Sequence, residues 1–142
     1  MKMNFLTLLF LVFILNACSK ETFTAPAEGL EVKIVVSSGG CGNVKVIVIN
    51  KNQTSRDLRG NVCDHSRGNS TAKTDEATFN RLNDYLHELE LYDRVYRDCA
   101  RCLDGVDYVL TINDGTRIIE QSIGFQNKGK GLAAFRKFLD KL

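Results

Sequence analysis

Cys99-Ala100-Arg101-Cys102 is the pair whose spacing points most directly to chemistry. Two thiols separated by two residues can cycle between dithiol and disulfide. Such pairs act when the first thiol sits at a helix N-terminus, which lowers its pKa. Here Leu103-Asp104-Gly105 and a strand pattern follow, so the activating helix is missing. The same pair with Cys63 and His65, or with Cys41 and Cys63, makes up a four-ligand zinc set. One close-spaced pair is only half of the usual zinc signature. Ser38-Gly39-Gly40-Cys41-Gly42 has the glycines of a phosphate cradle, but it lacks the Gly-Lys-Ser/Thr ending and leads into a strand. His65 stands beside Asp64 in a polar stretch and His87 lies in a helical pattern. Nucleophilic catalysis needs several groups gathered at one point, and no spacing gathers these.

The fifth cysteine has a different context. Lys2 precedes the apolar run Phe5 to Leu15, which ends in Leu15-Asn16-Ala17-Cys18. Spanning a bilayer takes about 20 apolar residues, and this run is too short. Its length and flanks are those of a processed signal. The stretch resembles the lipobox signal peptide of bacterial lipoproteins. The resemblance implies that the Cys18 thiol receives a diacylglycerol, with palmitate as the expected acyl chain. It also implies that residues 1–17 are removed, leaving a lipid-anchored N-terminus. Ser19 stands where an aspartate would signal retention at the inner membrane, so the resemblance implies an outer-membrane location in a Gram-negative host.

With Cys18 assigned to lipid, four cysteines remain in an exported chain. An even number in an oxidising compartment reads as disulfides. Removing Lys2 takes the net charge from +2 to +1, which provides no electrostatic reason to expect nucleic acid. The chain divides into a signal peptide (1–17), a lipid anchor and tether (18–30), and one domain (31–142). Ser19 to Leu30 is polar and small and holds the only proline. As a flexible coil it reaches about 20 Å.

The elements that must position the cysteines can be read from periodicity. Glu31 to Ser37 and Val44 to Asn50 are β-branched strands. Lys51-Asn52-Gln53 is a turn, after which Thr54 to Cys63 forms a weaker, polar strand expected at an edge. A turn centred on Asn52 sets Asn50 against Thr54 and Cys41 against Cys63. Closing that loop would contribute about 3.4 kcal/mol, and the Cys99–Cys102 ring about 2 kcal/mol before strain. Asp64 to Lys73 is a loop by composition. Thr74 caps a helix over roughly 75–91, with Phe79, Leu82, Leu86 and Leu89 on one face and Arg81, Asp84 and Glu88 on the other. Val106, Tyr108, Leu110 and Ile112 alternate as a half-buried strand. The Asp114-Gly115 turn predicts a hairpin with Leu110 against Ile119 and Val106 against Ile123. Leu132, Phe135, Leu139 and Leu142 form one face of a final helix. Lys128, Lys130, Arg136, Lys137 and Lys141 make that end basic, either as a solvated face or as a contact for anionic lipid headgroups.

The order βββ-α-ββ-α predicts an α+β domain, an antiparallel sheet of about five strands with two helices packed on one face. It resembles small uncharacterised lipoproteins of Bacteroidota with a cysteine-marked hairpin, a helix and a second hairpin closed by Asp-Gly. That resemblance supplies no catalytic residues. The expectation is therefore a non-catalytic binding, inhibitory or accessory module of the envelope. It would be held to the membrane by lipid on Cys18, stapled by Cys41, Cys63, Cys99 and Cys102, free of cofactors, and open to a protein partner. The strand after Asn52 and the segment Asp64–Lys73 are the expected contact region. The alternatives are a thiol–disulfide redox protein using Cys99 and Cys102, and a metal-binding module.

Overall fold

The structure, a computed structural model, describes residues 28–38, 43–60, 67–97, 105–124, 129 and 131–142. The elements are β1 (Glu31–Ser38), β2 (Val44–Asn50), β3 (Gln53–Arg59), β4 (Gly68–Lys73), α1 (Glu76–Glu88), β5 (Val106–Asn113), β6 (Ile118–Ile123) and α2 (Leu132–Lys141). All strand pairs are antiparallel, in the order β4-β3-β2-β1-β5-β6. The class is the expected α+β. The sheet has six strands, because residues 68–73 of the expected loop pair with β3. The strand after Asn52 is consequently interior and β4 takes the edge.

Alternation decides which face is covered. Val32, Ile34, Ile47, Ile49, Leu110, Ile112 and Ile123 point one way and are buried with Phe79, Leu82, Leu86, Phe135 and Leu139 of the helices. Each such side chain contributes about 1.5–3 kcal/mol on burial. Tyr85 fastens α1 to α2, its ring centroid 5.1 Å from that of Phe135 and 5.3 Å from that of Phe138. Val35, Val46, Val48 and Val109 lie on the other face and are half-buried.

The cap of α1 is Asp75, whose carboxylate accepts from the Thr78 amide and hydroxyl, each at 2.8 Å. Those bonds hold its pKa below the usual carboxylate range. Thr74, the expected cap, is instead buried, its hydroxyl 2.9 Å from that of Thr54. The helix stops at Glu88 rather than near 91 because Glu90 takes φ 54°. The Leu91 amide then bonds the Leu86 carbonyl (2.8 Å) and the Glu90 amide bonds that of His87 (2.9 Å). Both bonds and the buried Leu86 and Leu91 match a Schellman ending.

Two hairpin registers differ from expectation. Asn50 pairs with Gln53 across a two-residue turn, and Ile49 opposes Thr54. The ladder is thus one residue away from the register on which the Cys41–Cys63 pairing was based. In the second hairpin Leu110 opposes Gln121 and Tyr108 opposes Ile123, a shift of two residues that preserves the faces. The turn is Gly115-Thr116, with Gly115 at φ 88° in first position, where a type II′ turn needs positive φ. Asp114 closes it by accepting from the Thr116 amide (2.9 Å), the Thr116 hydroxyl (2.6 Å) and the Arg117 amide (2.9 Å).

Candidate functional site

The residues singled out for chemistry are largely beyond the described part. Cys18, Cys41, Cys63, Cys99, Cys102 and His65 lie outside the described residues, as do Gly39, Gly40 and Gly42 of the glycine cluster. His87 is exposed near the end of α1, its ring 5.1 Å from that of Tyr92. Of the basic C-terminal set, Lys128 and Lys130 also lie outside. The Arg136 guanidinium donates to the Gly124 carbonyl at 2.9 Å, while Lys137 and Lys141 are exposed. Among the described residues no group of three or more His, Cys, Asp or Glu side chains could hold a metal ion. No described helix is long and apolar enough to cross a membrane.

One cluster of ionisable groups is assembled beside the end of α2. The Tyr108 hydroxyl donates to Asp140 at 2.5 Å, and the Arg56 guanidinium donates to the Leu142 carbonyl. Burial, and then the Asp140 carboxylate, push the Tyr108 pKa well above its ordinary value, so the phenol remains a donor. Lys45 is lowered by burial and by neighbouring Arg56, with Asp140 opposing. The Tyr108 and Arg56 bonds brace the C-terminal end of the chain against β5 and β3.

An open cleft of about 1110 Å³ lies where β1 begins and β4 ends, with Glu28, Glu31, Lys51, Lys73, Asp75 and Glu76 in its wall. Acids and bases share its wall, and all six are exposed.

The two edges of the sheet present a clearer site. The Thr74 amide donates to the Asn52 carbonyl at 3.2 Å, which continues the β3–β4 ladder as a hydrogen-bonded pair. Hydrogen-bonded and non-bonded pairs alternate in antiparallel ladders. Ala72, Ser70 and Gly68 therefore bond β3 through Thr54, Arg56 and Leu58. The N–H and C=O groups of Asn69, Thr71 and Lys73 point away from the sheet. All six residues of β4 are exposed, and the strand has no proline and no break in register. Among the described residues it lacks the bulges and inward charges that usually blunt an edge.

The same reasoning on β6, starting from the Asp114 amide on the Arg117 carbonyl (3.2 Å), turns the backbone of Ile118, Glu120 and Ser122 outward. There the Ser122 amide is bonded to the Tyr96 carbonyl at 2.9 Å, and Arg97 forms a parallel bridge to Ser122. Gln121, 1% exposed, holds that segment in place. Its amide group donates to the Leu91 and Arg94 carbonyls, both at 2.7 Å, and its oxygen accepts from the Tyr96 amide at 2.7 Å.

Half of the contact region expected from sequence thus coincides with the open edge. Sequence reasoning missed the strand itself and the clamp at Gln121. A lone glutamine between isoleucines on a strand was the only signal for the clamp. No protein-family model matches the chain, and no curated protein matches it at a significant level.

Proposed function

We propose that the chain is a lipid-anchored envelope lipoprotein whose folded part is a non-catalytic binding module that contacts its partner by strand addition at β4. The observation that carries the binding reading is the difference between the edges: Asn69, Thr71 and Lys73 direct backbone donors and acceptors into solvent along an exposed strand. Extended segments dock on such edges through main-chain hydrogen bonds. The anchor reading is supported by Leu15-Asn16-Ala17-Cys18 after its apolar run.

Selection of short random peptides on the wild type and on Thr71→Pro tests the binding reading. Proline at 71 removes an outward N–H without taking a bond from β3, and edge strands tolerate it there. Peptides retained by the wild type and lost from the variant are expected; their absence would refute edge docking. Fatty-acid labelling that persists in Cys18→Ala would refute the anchor. Insulin reduction that disappears in Cys99→Ser/Cys102→Ser would favour the thiol–disulfide alternative, whose support is the spacing of those cysteines.

A further inference from the structure

We infer that the occupant of the β4 edge is a second copy of this chain, paired antiparallel about a two-fold axis at Thr71. The inference rests on the edge reading above and names its partner. Because the outward groups belong to Asn69, Thr71 and Lys73, two copies can hydrogen-bond only by setting these residues against one another. Two symmetric registers pair the largest number of β4 residues. Centring on Ser70 bonds Asn69 to Thr71 and carries Arg67 opposite Lys73 at both ends. Centring on Thr71 bonds Asn69 to Lys73 and Thr71 to Thr71, and carries Arg67 opposite Asp75.

Charge decides between them. Like charges directly opposite are destabilising, and opposite charges or paired threonines are favourable. Arg67, Lys73 and Asp75 are all exposed. The Thr71-centred register also makes one more hydrogen-bonded residue pair, because Lys73 is used at both ends. On the face that the helices occupy further along the sheet, β4 presents Gly68, Ser70 and Ala72, none large enough to obstruct a neighbour. The edge thus carries Arg67 at one end and Lys73 followed by Asp75 at the other, and reversing it about Thr71 sets Arg67 against Asp75 while Lys73 meets the uncharged Asn69.

An interface of this length falls below the roughly 1,200 Å² of a standard complex, which makes it a weak, reversible contact. Anchoring in one membrane plane raises the effective concentration.

Sedimentation equilibrium of the full chain in detergent solution tests the inference. A reversible dimer is expected, weakened roughly tenfold or more by Thr71→Pro and by Arg67→Asp, which sets acid against Asp75 of the partner subunit. Lys73→Asp should change little, since it faces the uncharged Asn69 of the partner subunit. Far-UV circular dichroism checks the fold, and Arg67→Asp at an exposed position keeps the test open should Thr71→Pro misfold. A dimer tightened by Lys73→Asp would assign the Ser70-centred register and overturn the one inferred. So would a dimer indifferent to both Thr71→Pro and Arg67→Asp. A monomer at roughly 1 mM, where even a contact of millimolar affinity would be substantially paired, would overturn the second copy as occupant. If random peptides still distinguish the wild type from Thr71→Pro, edge docking survives that result; if they do not, both readings fall.

Discussion

At β6 the outward amide of Ser122 is bonded to Tyr96, and a buried glutamine holds the covering segment by three hydrogen bonds. At β4 the equivalent groups of Asn69, Thr71 and Lys73 meet solvent. Both strands are six residues long and end the same sheet, so strand length and sheet position do not explain the difference. What differs is the chain around them. β6 lies beside the turn that follows α1, where the Schellman ending at Glu90 directs Leu91 inward and leads residues 92–97 along the edge. Tyr92 and Arg117 add a cation–π contact, 5.7 Å from guanidinium to ring centroid. β4 has a core residue only just beyond its end, at Thr74. Covering an edge takes a segment with its own anchors, and only β6 has one among the described residues.

The largest test of this comparison removes the anchor. In Gln121→Leu, the carbonyls of Leu91 and Arg94 and the amide of Tyr96 lose their partner. A loss of about 2–3 kcal/mol is expected, because groups that stay buried bear most of the desolvation cost. Urea denaturation measures it. Hydrogen exchange at the Ser122 amide should quicken together with the loss, and β6 would then resemble β4. An unchanged midpoint would show that the segment is held by something other than the clamp.

A second test loosens the other edge. Ala72→Pro removes an amide that bonds to β3, where Thr71→Pro removes one that faces solvent. The expected cost is about 1–2 kcal/mol for Ala72→Pro, the worth of a ladder bond plus local strain, and much less for Thr71→Pro. Equal costs would contradict the alternation from which the outward groups of β4 were assigned.

The contrast also explains what could be read from sequence. β1, β2, β5 and both helices bury a periodic apolar face, and Val32, Ile34, Leu110, Phe135 and Leu139 announce it directly. β4, with Gly68-Asn69-Ser70-Thr71-Ala72-Lys73 exposed on both faces, has no period to detect and reads as loop. Its existence depends on pairing with β3, a tertiary fact. The turn registers were missed for a different reason. Asp114-Gly115 suits a two-residue turn, but the Asp114 side chain is used three residues ahead, moving the turn onto Gly115-Thr116. The same side-chain capture occurs at Asn50, whose oxygen accepts from the amides of Asn52 (3.0 Å) and Gln53 (2.9 Å) and shortens the first turn. Which residue of an Asx cluster turns inward depends on bonds that composition does not reveal. That residues 68–73 lie at the periphery of the fold was legible, because polar stretches between strong strands are where edges and loops fall.

The smallest test concerns the end of β6 beside the hairpin turn, where Ile118 is 68% exposed and the strand is paired with β5. The Thr116 hydroxyl, then the amides of Thr116 and Arg117, hold the Asp114 carboxyl well below the usual carboxylate range, with Arg117 adding to them. A folded-state pKa below the unfolded value means that the unfolded chain binds the proton more readily. The contribution is therefore complete above about pH 5 and is lost as pH falls through and below about pH 4. Asp114→Asn keeps an acceptor for the amides but removes the charge. It should lower the urea midpoint slightly near neutral pH, and the gap from the wild type should narrow steadily on acidification. The wild type alone has this proton to take up. Hydrogen exchange should show the loss confined to the turn and to Ile118–Glu120, leaving the Ser122 amide protected behind Tyr96. A gap that stays constant down to about pH 3 would show that Asp114 closes the turn by geometry alone. A loss that spreads to Ser122 would show that the clamp and the turn are one unit, and that β6 is covered along its whole length by a single cooperative structure.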